Sequence, residues 1–363
     1  MFKSEKPKYQ TLKEYLIETI KSEKLKPGDK TQTEIELAEK FGVSRHTIRQ
    51  AIGELVAEGW LYRVQGKGTF VKRRHDQGTS STDSKTIGMV TTYLNEYIFS
   101  AIIRGIDKVL SSRGYNIVLS CTYNMHEKEK ACISNMLNRK IDGLIVESTR
   151  SAIPNPNLQL YKDLGAKGVP VLFIHGCYRG LECSYIVEDD MLGGYLAAKH
   201  LIELGHREIG GIFKVDDIQG HYRFEGFQKA CCEYGISVND SSVLWFDTFD
   251  LNIKFEFESG NIIKNIVKNN TGIVCYNDQI AVKLMDVIRG MGLSVPEDIS
   301  IVSFDDSDLA TASEPKLTTL AHPKEQLGIR AAESIIQMIK RKTSCFSEII
   351  EPKLIIRNST KQR

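Results

Sequence analysis

The chain has 363 residues, of which 41% are hydrophobic and 26% are charged, and its formal net charge is +2. This composition is ordinary for a globular protein, and the length allows two or more domains with large cores. The sequence contains no apolar run of about 18 residues, which argues against a membrane span. Its first residues lack the apolar stretch of a secretory signal, so we expect a cytoplasmic protein.

The cysteines and the charges narrow the class of protein further. The eight cysteines are scattered and form no C-x-x-C pair, which argues against a zinc ribbon or a thioredoxin-like site. In a chain without a secretory signal we expect reduced thiols rather than disulfides. Residues 1–74 hold 16 Lys and Arg against 10 Asp and Glu. A basic N-terminal part on a mildly acidic body hints at a polyanionic partner.

The N-terminal part predicts three helices followed by a β-hairpin. The apolar residues of Thr11–Leu25 recur at helical spacing. Thr33 is placed to cap a second helix that ends at Gly42, with Ile35 facing inward. Ser44 is placed to cap a third helix, and "WLYRVQGKGTFVKR" then alternates around the turn "QGKG".

A polar stretch separates this part from the body of the chain. Residues 74–85, "RHDQGTSSTDSK", contain no apolar residue and predict a flexible linker between residues 1–73 and residues 86–363. Beyond it, short apolar runs alternate with helical stretches, which predicts parallel sheets covered by helices on both faces. Because ten strands are more than a single sheet usually contains, we expect two βαβ lobes. The predicted strands are TIGMVTT, YNIVLSC, IDGLIVES, VPVLFIHG, SYIVEDD, EIGGIFK, SVLWFDT, TGIVCYND, SIVSFDD and LTTLAHP.

The third predicted helix has two different faces. At 100° per residue its apolar residues gather on one side and its hydrogen-bond donors on the other. Two arginines one turn apart repel each other mildly, so a purely structural helix has little reason to carry them. Arginine forks onto guanine edges or phosphates and glutamine onto adenine, which favours DNA over a merely solvated basic face. The apolar residues are Ile48, Ala51, Ile52 and Leu55, and the donors are Arg45, His46, Arg49 and Gln50.

Residues 8–71 resemble the GntR-type winged helix-turn-helix family. The motifs that carry this resemblance are "PGDK", "TEIELAEKFGVSR" with the Thr and Arg that follow it, and "QGKGTFV". The resemblance implies operator double-stranded DNA as partner, read by the third helix and by a hairpin wing. It also implies that Glu34 orients an arginine or touches a base. The expected DNA-binding residues are Lys8, Glu34, Ser44, Arg45, His46, Thr47, Arg49, Gln65, Gly66, Lys67 and Gly68.

The body carries no motif typical of an enzyme. We find no P-loop, no nucleophile elbow, no dinucleotide fingerprint and no metal-binding histidine spacing, so we expect no catalytic residue, no metal and no cofactor. Polar residues do recur at the carboxyl ends of apolar strands, where open α/β sheets bind ligands. Planar polar groups with an aromatic ring suit a sugar, although acids there can also simply cap helices. The strand-end residues include Glu147, His175, Asp189, Asp190, Asn277, Asp278, Asp305 and Asp306, and the candidate rings are Tyr93, Tyr97, Phe99 and Trp245.

Residues 85–360 resemble a LacI/GalR-type effector domain, which is similar to type I periplasmic sugar-binding proteins. The motifs include "DGLIVES", "YRFEGFQKA", "CYNDQIAVKLMDVIRGMGLSVPEDISIVSFDD" and "LTTLAHPKEQLG". The resemblance implies an α/β fold of two lobes with parallel sheets and effector contacts from Arg223, Asn277 and Asp305. Strand-end position adds Glu147 and His175, and the first βα loop adds the rings. The expected effector-binding residues are Tyr93, Tyr97, Phe99, Glu147, His175, Arg223, Asn277 and Asp305.

The pairing of the two domain types is unusual and resembles the arabinose-responsive repressors. That resemblance implies a homodimer that represses arabinose-use genes and is released by L-arabinose. Alternatives are a different sugar, a sugar that promotes DNA binding, an extracytoplasmic sugar-binding module, and an enzyme acting on a sugar. The polar linker at 74–85 replaces the hinge helix of LacI-type proteins.

Overall fold

A computed structural model describes residues 8–22, 25–64, 66–72, 84–94, 97–249, 261–341 and 346–363. The chain divides into two compact units, Met1–Thr82 and Asp83–Arg363. Of the predicted linker at 74–85, all but the last two residues lie outside the described ranges. No helix within those ranges is long and apolar enough to cross a membrane.

The first unit contains the predicted helices and hairpin. Thr33 caps the second helix in a capping box, because its hydroxyl accepts from the Glu36 amide while the Glu36 carboxylate accepts from the Thr33 amide. Gly42 ends that helix with a φ of 60°, and Ser44 caps the third helix. The elements are α1 (Lys8–Lys21), α2 (Glu34–Phe41), α3 (Arg45–Ala57), β1 (Leu61–Val64) and β2 (Gly68–Val71).

The core of this unit follows the predicted helical pattern, with one correction. Ile48, Ala51, Ile52 and Leu55 of α3 are buried against α1 and α2, as the pattern predicts. Ile35 was predicted to face inward, but 48% of it is exposed. Helix α2 has little more than two turns, and its buried stripe centres on Leu37. Ile35 lies two positions before Leu37 and therefore about 200° away around the helix, on the exposed side.

The second unit alternates strands and helices. All ten predicted strands are present, and two short strands near the C-terminus, β13 and β14, were not predicted. The strands are β3 (Thr86–Thr91), β4 (Asn116–Cys121), β5 (Gly143–Glu147), β6 (Val171–Ile174), β7 (Ser184–Glu188), β8 (Ile209–Lys214), β9 (Val243–Phe246), β10 (Gly272–Cys275), β11 (Ser300–Asp305), β12 (Thr318–Ala321), β13 (Ser347–Ile350) and β14 (Lys353–Ile355). The helices are α4 (Phe99–Ser112), α5 (His126–Asn138), α6 (Leu158–Ala166), α7 (Asp190–Glu203), α8 (Ile218–Glu233), α9 (Asn261–Asn269), α10 (Asp278–Gly290), α11 (Asp308–Ala312) and α12 (Lys324–Arg341), with a 3₁₀ turn at Asp240–Ser242.

These strands form two six-stranded sheets, one in each lobe. The first has the order β13-β7-β6-β5-β3-β4 with parallel pairs, and the second has the order β14-β12-β11-β10-β8-β9, where only β14 pairs antiparallel. The two expected lobes are therefore confirmed. The chain passes between the sheets after β7, after β12 and between β13 and β14, so these three crossings form the hinge.

One pair of cysteines departs from the sequence expectation. Cys177 and Cys183, in the loop between β6 and β7, are joined in a disulfide, so the expectation of reduced thiols is wrong for this pair. The loop returns on itself and brings the two side chains together across six positions. The other described cysteines are free thiols, at positions Cys121, Cys132, Cys231, Cys232 and Cys275.

Candidate DNA-binding surface and effector pocket

Helix α3 presents an exposed polar face. Arg45, His46, Arg49 and Gln50 are exposed, while Thr47 is half-buried. The Ser44 hydroxyl accepts from the Thr47 amide at 3.2 Å and therefore fixes the helix start. Amides at a helix start and two guanidinium groups on one face can bind phosphates and guanine edges.

Glu34 connects this face to its neighbours. Arg49 Nε donates to Glu34 Oε2 at 2.8 Å, and Arg63 Nη2 lies 3.8 Å from Glu34 Oε1. The carboxylate thus contacts one arginine of α3 and one of β1, and its role in DNA binding stays a prediction. Arg63 was not among the residues predicted to bind DNA, although its place in the first strand of the hairpin was a signal.

The hairpin tip has the backbone geometry of a close-approach wing. Gly66 and Gly68 have φ values of 73° and 119°, a region that favours glycine, and both are exposed together with Lys67. Of the other predicted contacts, Gln65 lies outside the described residues, and Lys8 begins α1 but its side chain is outside the description.

A cavity of about 290 Å³ lies between the two lobes of the second unit. Seven of the eight predicted effector residues line it: Tyr93, Tyr97, Glu147, His175, Arg223, Asn277 and Asp305. Their role in binding a ligand stays a prediction. Further residues that line it include Thr92, Asn124, Ser148, Lys214, Asp217, Gln219, Phe246, Thr248, Tyr276, Gln279 and His322. Among the described side chains, no three His, Cys, Asp or Glu are arranged to hold a metal ion.

Two predicted aromatic residues lie elsewhere. Phe99 is fully buried in the core of the first lobe, with its ring centroid 5.9 Å from that of His175. It is the first residue of α4, whose buried stripe packs on the sheet. Phe99 therefore contacts the cavity-lining residue His175 from the core and does not line the cavity itself. Trp245 packs on Phe224 with ring centroids 5.0 Å apart, at the edge strand β9.

Arg223 is the most enclosed cation of the cavity. Its Nε donates to Asp190 Oδ1 at 2.8 Å, and its Nη1 donates to the Tyr276 carbonyl at 2.6 Å. Its guanidinium lies 4.2 Å above the Phe304 ring, a cation–π contact. Burial raises the pKa of the Asp190 carboxyl, and the opposing charge of Arg223 lowers it less than burial raises it. Neighbouring Asp189 caps the start of α7, so this strand-end acid has the helix-capping role that was the alternative to ligand binding.

Hydrogen bonds join the two lobes around the cavity. Tyr97 donates to Asp305 Oδ2 at 2.5 Å, and Ser151 donates to Asp217 Oδ1 at 2.8 Å. A third bond runs from Asn124 Nδ2 to Thr248 Oγ1 at 2.7 Å. In each pair the first residue belongs to the first lobe and the second to the other, so the cleft is closed.

Several residues that line the cavity were not predicted from the sequence. Lys214 ends β8 and His322 follows β12, so the same strand-end rule would have identified both. Asp217 and Gln219 lie at the start of α8, and Asn124 lies in the loop after β4; their positions carry no strand-end signal.

Comparisons with known proteins agree with this architecture. Bacterial regulatory proteins of the gntR family match residues 8–71, and the periplasmic binding protein-like domain matches residues 198–360. An arabinose metabolism transcriptional repressor of Halalkalibacterium halodurans is 45% identical, covering 97% of this chain and 96% of the relative. One from Geobacillus stearothermophilus is 44% identical, covering 98% of each. A LacI transcriptional regulator of Alkaliphilus metalliredigens in complex with D-xylulofuranose has a TM-score of 0.65 at 27% identity, covering 76% of this chain and 99% of that one.

Proposed function

We propose, from the premise that this chain belongs to the arabinose metabolism transcriptional repressors, that L-arabinose binds in the cavity between its lobes and releases it from operator DNA. The observation that carries the proposal is the polar lining of that cavity, which combines carboxylates, an arginine and aromatic rings. Helix α3 and the wing would read the operator, with Arg45 and Arg49 as the principal donors.

The cavity suits a small polyhydroxylated ligand. Carboxylate and guanidinium groups each offer two adjacent hydrogen-bonding positions, which match vicinal hydroxyls. Tyr93, Phe246 and Tyr276 can cover the C–H face of a sugar ring. The volume of about 290 Å³ lies at the lower end of the range for ligand pockets, which favours a monosaccharide over a larger sugar.

Release requires that the sugar bind the state with low DNA affinity better than the state with high affinity. A closed cleft joined by lobe-to-lobe hydrogen bonds is the state that a sugar between the lobes stabilises. We propose that two chains form a homodimer in the cytoplasm, that their α3 helices read two half-sites, and that cleft closure changes the spacing between them. We also propose that the chain turns over no substrate.

The test is binding of the full chain to its own upstream DNA by fluorescence anisotropy at a stated salt concentration, with and without millimolar L-arabinose. We expect release by L-arabinose and no release by xylose, ribose or galactose. Tighter DNA binding in the presence of L-arabinose would instead support the second candidate, in which the sugar is a corepressor. Tight binding indifferent to the sugar would contradict L-arabinose as effector.

Arg45→Ala tests the reading helix in the same assay. If Arg45 contacts a base, the variant should bind the operator about 1–3 kcal/mol more weakly. Arg289→Ala, which removes an exposed arginine of the second unit, is the matched control and should bind as the wild type does. Unchanged operator affinity for Arg45→Ala would remove this residue from the readout.

A further inference from the structure

Four buried side chains lie in a row from the cavity to the hinge, and the middle pair forms a hydrogen bond. Glu147 Oε1 lies 3.7 Å from His175 Nδ1, His175 Nε2 lies 2.8 Å from His322 Nε2, and His322 Nδ1 lies 4.0 Å from Glu188 Oε1. Glu147 and the two histidines line the cavity. Glu188 ends β7 and His322 follows β12, so both stand at chain crossings between the lobes. At least 89% of each side chain is buried.

The contact between the two imidazoles restricts which nitrogen atoms can carry a proton. Two Nε2 atoms 2.8 Å apart are a hydrogen bond, so one proton lies between them and the other nitrogen accepts it. If the proton belongs to His322, its Nδ1 is a bare acceptor that faces Glu188 across 4.0 Å, and a protonated Glu188 can donate to it once the two atoms approach to hydrogen-bond distance. If the proton belongs to His175, His322 carries its proton on Nδ1 and can donate to an ionised Glu188 after the same approach.

At the cavity end of the row, Glu147 accepts hydrogen bonds from other donors. Oε2 of Glu147 accepts from the Thr91 hydroxyl at 2.9 Å and from the Thr92 amide and hydroxyl at 2.5 and 2.7 Å. Oε1 therefore remains available to accept from His175 Nδ1. With that bond made, both arrangements contain three protons, and they interconvert by moving one proton from Glu188 to His322 Nδ1 and another from His322 Nε2 to His175 Nε2.

Removing one of the three protons leaves the row unsatisfied. Either a bare imidazole nitrogen then faces an ionised carboxylate, or the two Nε2 atoms face each other without a proton. Glu188 Oε1 and His322 Nδ1 are both buried, and at their separation of 4.0 Å neither forms a hydrogen bond with any residue that the structure describes. A bare imidazole nitrogen that faces an ionised carboxylate in a buried site is unfavourable, so loss of this proton opposes a close approach of the two side chains.

We propose that Glu188 is a positioning residue for the effector cavity, which acts through His322 and His175 and links sugar binding at the cavity to one proton at the hinge. This inference rests on the proposed function, because the sugar that reports it is L-arabinose. The sugar binds to the cavity wall formed by the intact, three-proton row.

The surrounding charges support this assignment. Burial, and then the negative charge of Asp190, raises the pKa of Glu188 to about 8. Burial and the adjacent His175 hold the pKa of His322 well below its usual value. Burial lowers the pKa of His175, but the carboxylates around it, Glu147 first, outweigh burial and raise it.

Other charged groups near the row keep their own partners. Asp190 is paired with Arg223, Asp217 accepts from Tyr276 and Ser151, and Asp305 accepts from Tyr97. Lys324 donates to the backbone carbonyls of Asp305 and Asp306. Lys214 lies 3.9 Å from Asp217. Asp278, which faces Asp305, has a pKa raised to about 6 by burial and that neighbour, so it ionises below the range of the test.

The test is titration of the full chain with L-arabinose by calorimetry from pH 7 to pH 9.5. For the wild type, the dissociation constant should rise with pH above pH 8, at a rate that approaches tenfold per pH unit near pH 9.5. Buffers of different ionisation enthalpy should report almost no proton uptake at pH 7 and uptake of nearly one proton per sugar bound at pH 9.5. Glu188→Gln places an amide donor opposite His322 Nδ1 at every pH, so its affinity should stay constant across the range. Glu182→Gln, an exposed carboxylate in the loop before β7, should behave as the wild type.

Two results would overturn the proposal: a wild-type affinity that does not change with pH, or the same fall with pH in Glu188→Gln. If L-arabinose binds at no pH, the proposed effector is wrong, and the row is then tested without it. Imidazole ¹⁵N shifts of the free, full-length protein should show two histidine signals that change above pH 8 in the wild type and not in Glu188→Gln. Identical shifts in both proteins would contradict the row itself.

Discussion

Glu129 shows how a single buried side chain shapes the cleft. It is fully buried, and four donors use both of its oxygens: the hydroxyls of Tyr161 and Tyr178 donate to Oε1, and the amides of Asn155 and Asn157 donate to Oε2 at 2.8 Å. Burial, and then the nearby negative charges, raises the pKa of both tyrosines well above the usual value. Through these donors Glu129 fixes the two loops that follow β5 and β6.

Glu129→Gln should destabilise the protein by about 2–4 kcal/mol, because the new amide group would point a donor at groups that already donate. The loss is measured by chemical denaturation of the full chain at pH 7. Glu127→Gln, an exposed change on the same helix, is the control and should be within about 0.5 kcal/mol of the wild type. Equal stability of the two variants would contradict the structural role of Glu129.

Individual residues also show what could and could not be predicted from the sequence. Glu147, His175 and Asp305 were found because the ends of parallel strands meet at one edge of a sheet. Phe99 was assigned wrongly because the loop before α4 does not reveal the phase of the helix. The role of Glu129 was not predictable, since its donors come from residues 26 to 49 positions away that only the fold brings together.

At the scale of elements, one helix pair in each lobe packs at reciprocal glycines. In the second lobe a Cβ on Gly194 of α7 would lie 1.9 Å from the Arg223 carbonyl of α8, and one on Gly226 of α8 would lie 1.8 Å from the Met191 carbonyl of α7. In the first lobe, α4 and α12 meet in the same way through their own two glycines. Each pair of backbones is therefore closer than any side chain would permit.

Gly226→Ala should separate α7 from α8 and cost about 1–3 kcal/mol or more, because both colliding atoms belong to helix backbone. As α8 carries Arg223 into the cavity, the affinity for L-arabinose should fall as well. Thermal unfolding and calorimetric titration of the full chain measure the two effects. Gly165→Ala in α6 meets nothing within 4 Å and should be neutral or stabilising by up to about 1 kcal/mol. A Gly226→Ala protein as stable as Gly165→Ala would contradict this packing.

The elements themselves were predictable where the hydrophobic pattern was long and regular. The ten strands of the alternating βα region were found because both faces of a parallel sheet are buried and the strands are continuously apolar. Strands β13 and β14 were missed because they lie at sheet edges, are three or four residues long and contain exposed positions such as Ile349. Edge strands of this kind carry no continuous apolar run.

At the scale of the whole molecule, the chain combines a reader of DNA with a sensor of small molecules. The exposed polar face of α3 lies in the first unit and the cavity lies in the second. Both parts were predicted separately from the sequence. A linker without an apolar residue gives no information on how ligand binding in one part affects DNA binding by the other. Any coupling between them is a free energy, and a free energy of coupling acts equally in both directions.

If L-arabinose weakens operator binding by a given factor per chain, operator DNA must weaken L-arabinose binding by the same factor. We expect a factor of about 5–150, the usual range for coupled sites, with the sugar bound more weakly by the protein–operator complex than by the free protein. The measurement is titration of L-arabinose into the full chain with and without saturating operator, at the salt concentration used for the anisotropy assay. A DNA fragment of scrambled sequence is the control and should leave the sugar affinity unchanged. If the sugar released the operator yet bound both forms equally well, it could not act through the cavity, because a ligand with equal affinity for two states shifts neither.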